Sequence, residues 1–298
     1  MYRMEFLNKI FDERENSISD NSKKLYVRNL SKLNNQEKII NLNFLNDIND
    51  VIDKIKQYKP TTQRSYIISV CVVLKNTNKI LYNDYYELLT KMNNDLKNNT
   101  TKSETQKKNW IDTPEILTIF NELKTKSKIK NNDQKSNIFN YMILALYFLQ
   151  APRRNIDYTL MKISSDMTDK NFNYLDLENK QFIFNNYKTK NKYETVKIDI
   201  KPDLLIVIKL YLSKHQEYSK LKNKKYMIHF LVNNSEINTG NQMTKILNKI
   251  FGGKNISSSM LRNIYLSNKY SNVIKNLKDD AIDMGTSVST AMSNYIKE

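Results

Sequence analysis

The chain has 298 residues and a formal net charge of +17, with 40% hydrophobic residues, four glycines, four prolines, one cysteine and two histidines. This composition excludes collagen-like, low-complexity and disulfide-stapled proteins, and it supplies enough apolar surface for the cores of one large or two ordinary domains. The single cysteine, Cys71, has no partner within the chain, which fits a reducing compartment. One cysteine with two separated histidines, His215 and His229, cannot form a four-ligand Cys/His zinc site.

The longest apolar stretch covers residues 138–149. It is shorter than the roughly 20 residues of a membrane-spanning helix, so we expect a buried helix there and no membrane partner. Charged residues interrupt the first eleven positions, which therefore lack the apolar run of a signal peptide, and we expect an intracellular protein. The excess positive charge predicts a polyanionic partner, because neutralising phosphates releases condensed counterions, and nucleic acid is the first candidate. The alternative is that the lysines are solvated and reflect a gene of biased base composition.

Residues 1–105 are predicted to form a self-contained helical domain. The Lys59-Pro60 pair ends the second predicted helix, and Thr61 or Thr62 would cap the third. The polar stretch 97–108 is the predicted linker. Hydrophobic spacing predicts four helices, over residues 19–34, 44–58, 61–74 and 81–96.

Residues 106–298 are predicted to form a second, mixed domain. Two strands separated by a lysine-rich turn are expected over residues 181–185 and 194–200. The predicted helices cover residues 113–124, 141–149, 203–215, 242–251, 258–270, 273–283 and 288–296. The predicted fold class is therefore mainly α with a small antiparallel β-sheet, as a helical N-terminal domain followed by an α+β domain.

Arginine is the informative residue type in this chain. Of the 48 basic residues only seven are arginines, and beyond position 100 only Arg153, Arg154 and Arg262 occur. A planar guanidinium can donate hydrogen bonds to two phosphate oxygens at once and stays charged. The ammonium group of lysine matches the two oxygens less well. The alternative for each arginine is that it pairs with a buried carboxylate such as Asp157.

The arginines stand within short motifs of fixed order, namely Arg154-x-x-Asp157, then Ser259-Met-Leu-Arg262, then Gly285-Thr-Ser287 with Tyr295 nine residues after Thr286. This pattern resembles the tyrosine recombinase (phage integrase) family, which carries Arg-x-x-Glu/Asp, His-x-Leu-Arg, and Gly-His-Ser with the nucleophilic Tyr nine residues after that His. Residues 161–163 also fit the family's helix after the first motif. Residues 186–190, at the predicted hairpin tip, lie where the family carries its catalytic lysine.

The resemblance extends from about Ser19 to the C-terminus, because the N-terminal helices look like the family's core-binding domain and residues 106–298 like its catalytic domain. The Pro152-Arg-Arg154 segment in an Asn/Lys-rich background looks most like integrases of large DNA viruses and their satellite viruses. The resemblance implies viral genome integration by recombination of double-stranded DNA, with two or four protomers on paired sites. The site of action would be the host cytoplasm or nucleus.

The resemblance also gives each matching residue a role. Tyr295 would attack the scissile phosphate and form a 3'-phosphotyrosyl bond, which conserves the energy for religation. Arg154 and Arg262 would stabilise the charge on the non-bridging oxygens, and Lys188 would protonate the departing 5'-oxygen. Because these residues neutralise the phosphate, neither a metal ion nor another cofactor is expected.

Some assignments within the motifs stay open. Arg153 competes with Arg154, which we prefer because Asp157 then falls in register, and Arg153 is expected to contact DNA. Lys190 and Lys192 compete with Lys188 and are otherwise expected to bind DNA phosphates.

The motifs depart from the family at both histidines, where this chain has Ser259 and Thr286. A hydroxyl can hydrogen-bond a phosphate oxygen or Tyr295, but it does not accept a proton near neutral pH as imidazole does. Slow chemistry, or none, is therefore expected. Ser259 could instead cap a helix, and Thr286 could lie in a turn after Gly285.

Three other functions are compatible with parts of this pattern. A catalytically weakened or inactive DNA-binding relic of a recombinase would keep the basic surfaces without cleavage. A type IB topoisomerase would share the chemistry without pairing sites. A metal nuclease using Asp279, Asp280 and Asp283 is disfavoured, because the three lie on one predicted helix as a solvated face. Gly252-Gly253-Lys254 lacks the leading glycine of a nucleotide-binding loop and predicts a turn.

Overall fold

The computed structural model describes residues 5–14, 18–98, 101–215, 217–218 and 227–296. The chain divides into two compact units, Met1–Thr101 and Lys102–Glu298, whereas the predicted domain boundary follows residue 105. The described helices include none that is both long enough and apolar enough to cross a membrane.

The first unit is helical, as predicted. Its helices are α1 (Glu5–Asp12), α2 (Asp20–Leu33), α3 (Ile48–Ile55), α4 (Pro60–Leu74) and α5 (Lys79–Asn98). The core forms around α4, whose Ile67, Val70 and Val73 are fully buried. Tyr85 of α5 fixes the loop before α3 by donating a hydrogen bond from its hydroxyl to the Leu45 carbonyl oxygen over 2.8 Å.

Several helix ends in this unit differ from prediction. Ser19 caps α2 as predicted, but α3 starts only after Asp47, whose carboxylate accepts the amides of Asn49 and Asp50. Neither Thr61 nor Thr62 caps α4, because Pro60 already occupies the first turn. A proline fits there since the first-turn amides have no intrahelical acceptor. The helix α1 was not predicted.

The second unit begins inside the predicted linker. Residues Glu104–Asn109 form α6, because Ser103 and Gln106 make a reciprocal capping box. The further helices are α7 (Thr113–Lys128), α8 (Gln134–Phe148), α9 (Asn155–Thr159), α10 (Lys190–Tyr193), α11 (Pro202–Leu212), α12 (Gly240–Ile250), α13 (Ser258–Asp283) and α14 (Val288–Thr290). The central helix is α8, which is buried on nearly every face, as its continuous apolar sequence predicts.

A five-stranded sheet has the order β4-β3-β2-β1-β5. Its strands are β1 (Met161–Ile163), β2 (Asn173–Asp176), β3 (Gln181–Phe184), β4 (Val196–Asp199) and β5 (Ile228–His229), and β6 (Val232–Asn233) pairs separately with β7 (Ser235–Glu236). The prediction of a mainly α protein with a small sheet is confirmed, as is the β3–β4 hairpin. The prediction of a purely antiparallel sheet was wrong, because β1 and β2 are parallel. The connection formed by residues 164–172 leads from the end of β1 back to the level at which β1 starts, so that both strands run in the same direction.

Two local predictions for this unit were wrong. Residues 161–163 form the strand β1 and not a helix, because they pair with β2 on one side and β5 on the other. The segments 258–270 and 273–283 form one continuous helix, α13. No residue between them breaks the helix, because serine and asparagine lower helix propensity only modestly.

Candidate active site

Three arginines, one carboxylate and the tip of the β3–β4 hairpin surround a cavity of about 380 Å³, here called the arginine cavity. Arg153, Arg154 and Arg262 contribute the guanidinium groups, and Asp157 contributes the carboxylate. From the hairpin, the residues facing the cavity include Tyr187, Thr189 and Tyr193. Three positive groups against one negative group make the cavity a site for an anion.

The fold brings Arg154 and Arg262 together through Asn155, the first residue of α9. The Asn155 amide nitrogen donates to Ser258 Oγ over 3.3 Å, one turn before Arg262 in α13. Its side chain donates to the Gly240 carbonyl and to Thr244 Oγ1 of α12 over 3.0 and 2.9 Å. It also accepts a hydrogen bond of 2.6 Å from the Tyr147 hydroxyl of α8. We call residues 153–157 the arginine segment. One buried asparagine therefore fixes this segment against three helices.

Arg153 pairs with a buried carboxylate and contacts two aromatic rings. Its Nε lies 3.0 Å from Asp157 Oδ2, and its Cζ lies 3.7 Å from the centre of the Phe184 ring and 5.1 Å from that of Tyr187. Only 19% of its side chain is exposed. From the sequence, each arginine could instead have paired with a buried carboxylate such as Asp157. Arg153 is the arginine that does so.

Arg154 and Arg262 are held differently. Both are partly buried, and neither guanidinium makes a hydrogen bond or an ion pair within the part of the chain that the structure describes. The carboxylate in register with Arg154 pairs with Arg153 instead. These two guanidiniums are therefore free to bind the oxygens of an incoming anion, which favours Arg154 over Arg153 as an anion-binding residue.

Asp157 is almost completely buried, and its Oδ1 has no hydrogen-bond partner among the described residues. Burial raises the pKa of this carboxyl above its ordinary value, while the Arg153 and Arg154 guanidiniums oppose the shift. Desolvation disfavours the charged form, and a nearby cation favours it. The carboxylate is thus positioned to hold Arg153 and leaves the positive charge of the cavity mostly uncompensated.

Lys188 occupies the hairpin tip between the cavity residues Tyr187 and Thr189, and its side chain is exposed. The two competing lysines have other contacts. Lys190 Nζ lies 3.2 Å from Asn186 Oδ1, and Lys192 Nζ lies 5.1 Å from the centre of the Tyr193 ring. None of the three lysines is among the residues that line the cavity. Lys188 is the one without such a contact among the described residues, and it borders the cavity through its neighbours Tyr187 and Thr189.

Ser259 and Thr286, which stand at the histidine positions of the motifs that the sequence resembles, do not form part of the cavity lining. Ser259 is exposed in the first turn of α13, and the cap of that helix is Ser257, whose hydroxyl accepts the Met260 amide. The Thr286 amide donates to the Ala281 carbonyl over 2.8 Å, next to Gly285 at φ +65°. This is a Schellman motif, which requires a residue in the left-handed region at that position. The turn alternative for Thr286 is therefore the one observed.

Tyr295 ends a π-helical turn (Ala291–Tyr295) and is 60% exposed. It is not among the residues that line the arginine cavity. Because α13 continues unbroken from Arg262 to Asp283, its axis carries the chain about 32 Å beyond Arg262 before the C-terminal turn begins. The structure gathers the arginines and the hairpin, and it leaves Tyr295 apart from them.

Two asparagines that organise the cavity were missed by the sequence analysis. These are Asn155, described above, and Asn173 of β2, which binds both the arginine segment and the hairpin. Asn155 directly follows Arg154 in the sequence. A polar residue at this position, next to a candidate site residue, could have indicated a side chain that fixes Arg154 in place. Nothing in the sequence distinguishes Asn173 from the other asparagines of this Asn-rich chain.

Comparisons with known proteins leave the family of this chain open: no protein-family model matches it, and no curated protein sequence matches it. The described residues also contain no group of three or more His, Cys, Asp or Glu side chains arranged to hold a metal ion.

Proposed function

We propose that this protein is a site-specific DNA recombinase of the integrase type, which cleaves and rejoins double-stranded DNA through a phosphotyrosyl intermediate. The observation that supports this most is the arginine cavity. Two guanidiniums from distant parts of the chain, Arg154 and Arg262, face one cavity, and neither pairs with a carboxylate among the described residues. Such a pair matches the two non-bridging oxygens of a phosphodiester.

In the proposed reaction the Tyr295 oxygen attacks phosphorus as the bond from phosphorus to the 5'-oxygen breaks. The tyrosine gives up its proton to solvent water, and Lys188 donates a proton to the departing 5'-oxygen. Arg154 and Arg262 stabilise the negative charge that grows on the non-bridging oxygens. Religation reverses these steps, with a 5'-hydroxyl attacking the phosphotyrosine. The bond energy is conserved throughout, so no nucleotide cofactor is consumed.

Tyr295 has to reach a phosphate in an arginine cavity, and the length of α13 limits how. Either α13 or the residues that follow it rearrange within one protomer, or Tyr295 acts on the phosphate held by a second protomer. The second route requires no loss of helical hydrogen bonds. It also agrees with the proposal that two or four protomers assemble on paired DNA sites.

A DNA-binding relic without cleavage activity is the second candidate, and one observation favours it. Ser259 and Thr286 replace histidines, and neither hydroxyl lines the cavity. The site therefore lacks an imidazole base for Tyr295. The net charge of +17 would still give salt-sensitive binding to DNA.

The test is to incubate the protein with nicked duplexes that carry the end sequences of the genome encoding it. We expect a denaturation-resistant DNA adduct that is absent from Tyr295→Phe. Tyr270→Phe is the matched control, because Tyr270 is also a partly exposed tyrosine of the C-terminal region, and it should form the adduct. DNA binding without any wild-type adduct would establish the relic. Relaxation of supercoiled DNA without sequence preference would establish a topoisomerase.

A further inference from the structure

The segment that carries the arginines is attached to the base of the β3–β4 hairpin by two separate sets of contacts. The first is Arg153. Its guanidinium carbon lies 3.7 Å from the centre of the Phe184 ring at the end of β3 and 5.1 Å from that of the Tyr187 ring, and its Nε pairs with Asp157 Oδ2. Arginine above an aromatic face gains cation–π attraction, and its planar shape restricts how the ring can move.

The second attachment is Asn173, which is completely buried in β2. Its side-chain nitrogen donates to the Asp157 and Asn186 carbonyls over 2.7 and 3.1 Å. Its side-chain oxygen accepts the amides of Asn185 and Asn186 over 2.9 and 2.8 Å. Every hydrogen-bonding position of this amide is therefore used, and a fully satisfied buried network fixes a single geometry.

The hairpin tip beyond these contacts is held less tightly. Tyr187 is buried and donates to the Glu194 carbonyl over 2.9 Å, which closes the loop. Between them, residues 188–193 are all exposed. The position of Lys188 therefore depends on the residue before it, Tyr187, and on the ring contact that Tyr187 shares with Arg153.

We propose that Arg153 is a positioning residue: its guanidinium fixes the hairpin against the arginine segment and so places Lys188 beside the phosphate held by Arg154 and Arg262. The inference rests on the proposed function for the role of Lys188. The attachment of the hairpin by Arg153 stands independently of it.

The first experiment measures the hairpin directly, without DNA. Asn191→Cys at the exposed tip would carry a nitroxide label, and its mobility would be read by electron paramagnetic resonance. The native Cys71 is buried, and burial raises its pKa to about 11, so it holds little of the thiolate that reacts with the label. We expect Arg153→Gln to increase the mobility of the label. The matched change Arg154→Gln, at the next residue, should leave it unchanged.

Arg153→Gln leaves Asp157 without its charge partner and could impair folding, so Arg153→Lys is the second variant. A lysine keeps the positive charge beside Asp157 but loses the planar stack on Phe184. It should also increase the mobility of the label, by less than Arg153→Gln. Unchanged mobility in folded Arg153→Gln and Arg153→Lys would overturn the proposal.

The second experiment tests whether Arg153 positions the proton donor Lys188 or contacts the phosphate itself. It compares cleavage of a normal duplex with that of a duplex whose scissile 5'-oxygen is replaced by sulfur. A thiol has a pKa near 8.5, so a thiolate departs without a proton from Lys188. We expect Arg153→Lys to slow cleavage of the oxygen substrate by up to about 10²-fold, the lower end of a general-acid contribution. Sulfur should restore the wild-type rate to this variant but not to Arg154→Gln.

Equal slowing of both substrates by Arg153→Lys would mean that Arg153 acts on the phosphate itself, and would overturn the positioning role. Wild-type rates on both substrates would overturn it as well. If the wild-type protein forms no adduct with either substrate, the proposed function fails. The nitroxide measurement then still decides whether Arg153 fixes the hairpin.

Discussion

The arginine cavity and the C-terminal segment that carries Tyr295 belong to the same unit and are built in opposite ways. Around the cavity, buried amides of Asn155 and Asn173 bind three helices and the hairpin to the arginine segment. Along α13, by contrast, every side chain from residue 266 to 280 except Leu277 is exposed. Apolar side chains are among them, and Val273 is 60% exposed.

This contrast separates two parts of the proposed reaction, the stabilisation of charge on the phosphate by the arginines and the delivery of the nucleophile Tyr295. Groups that stabilise developing charge act best when they are already in place, because no reorganisation is then needed at the moment of reaction. The arginines meet this condition in the structure as it stands. The nucleophile does not, so its delivery would be the step that depends on DNA and on assembly.

The largest expected effect comes from dividing these two parts between different protomers. Arg262→Gln lacks half of the phosphate site but keeps Tyr295, and Tyr295→Phe has the reverse defect. Because α13 separates Arg262 from the C-terminal turn, we expect each variant alone to be inactive and an equimolar mixture to form the DNA adduct. A size tag on one variant shows which chain carries the adduct, and it should be Arg262→Gln.

Failure of the mixture, with an active wild-type protein, would contradict delivery between protomers. It would show that Tyr295 is delivered within one chain, either by a bend in α13 or by release of the residues that follow it. Tyr295→Phe mixed with a tagged copy of itself controls for contaminating activity.

The next effect concerns the charge stabilisation alone. Arg262→Lys keeps one positive charge and loses the fork that contacts two oxygens. We expect DNA affinity to change by no more than about twofold, while single-turnover cleavage falls by about 10²- to 10³-fold, as for loss of one transition-state donor. Lys275→Gln, an exposed change on the same helix, should leave the cleavage rate unchanged. Cleavage by Arg262→Lys at the wild-type rate would remove Arg262 from the site.

The contrast between the two regions also explains how much could be predicted from sequence. The periodic helices around the core were predictable, because hydrophobic spacing reports which face is buried. The choice between Arg153 and Arg154 could be proposed from motif spacing alone. The contacts that favour it come from Phe184 and Tyr187, which are remote in sequence. The continuity of α13 was not predictable, because the exposed residues 266–280 carry no burial pattern that fixes where a helix ends.

Stability around the cavity depends on Asn173. Asn173→Ala leaves two amides and two carbonyls without their Asn173 partner, and of these the Asn185 amide and the Asp157 carbonyl are bonded in the buried interior. Each buried unsatisfied group costs about 1–3 kcal/mol. Because neighbouring groups relax, we expect a total loss of about 2–4 kcal/mol in the free energy of unfolding, measured with urea. Asn171→Ala, an exposed change two residues earlier in the loop before β2, should cost less than about 0.5 kcal/mol. Equal effects would show that the network is dispensable.

The smallest expected effect is on pH dependence, and it is confined to the second unit because both histidines lie there. Burial lowers the pKa of His215, and burial together with the Lys162 ammonium lowers that of His229. Glu236, 2.9 Å from His229 Nε2, and Glu217 oppose the shifts. The pKa of a histidine in the unfolded chain is about 6.5. As the pH falls toward and below this value, the histidines bind protons more readily in the unfolded chain than in the folded chain, so the free energy of unfolding decreases.

Thermal unfolding of the full chain between pH 7.5 and pH 5.5 measures this effect without reaching the range in which ordinary carboxylates titrate. We expect the unfolding temperature of the second unit to fall on acidification, and His229→Gln to weaken the dependence. Asp157 acts with the opposite sign, because burial raises its pKa and the folded chain therefore takes up its proton more readily. Asp157→Asn should therefore steepen the fall. A pH-independent unfolding temperature in the wild-type protein would show that neither histidine is held in its neutral form by the fold.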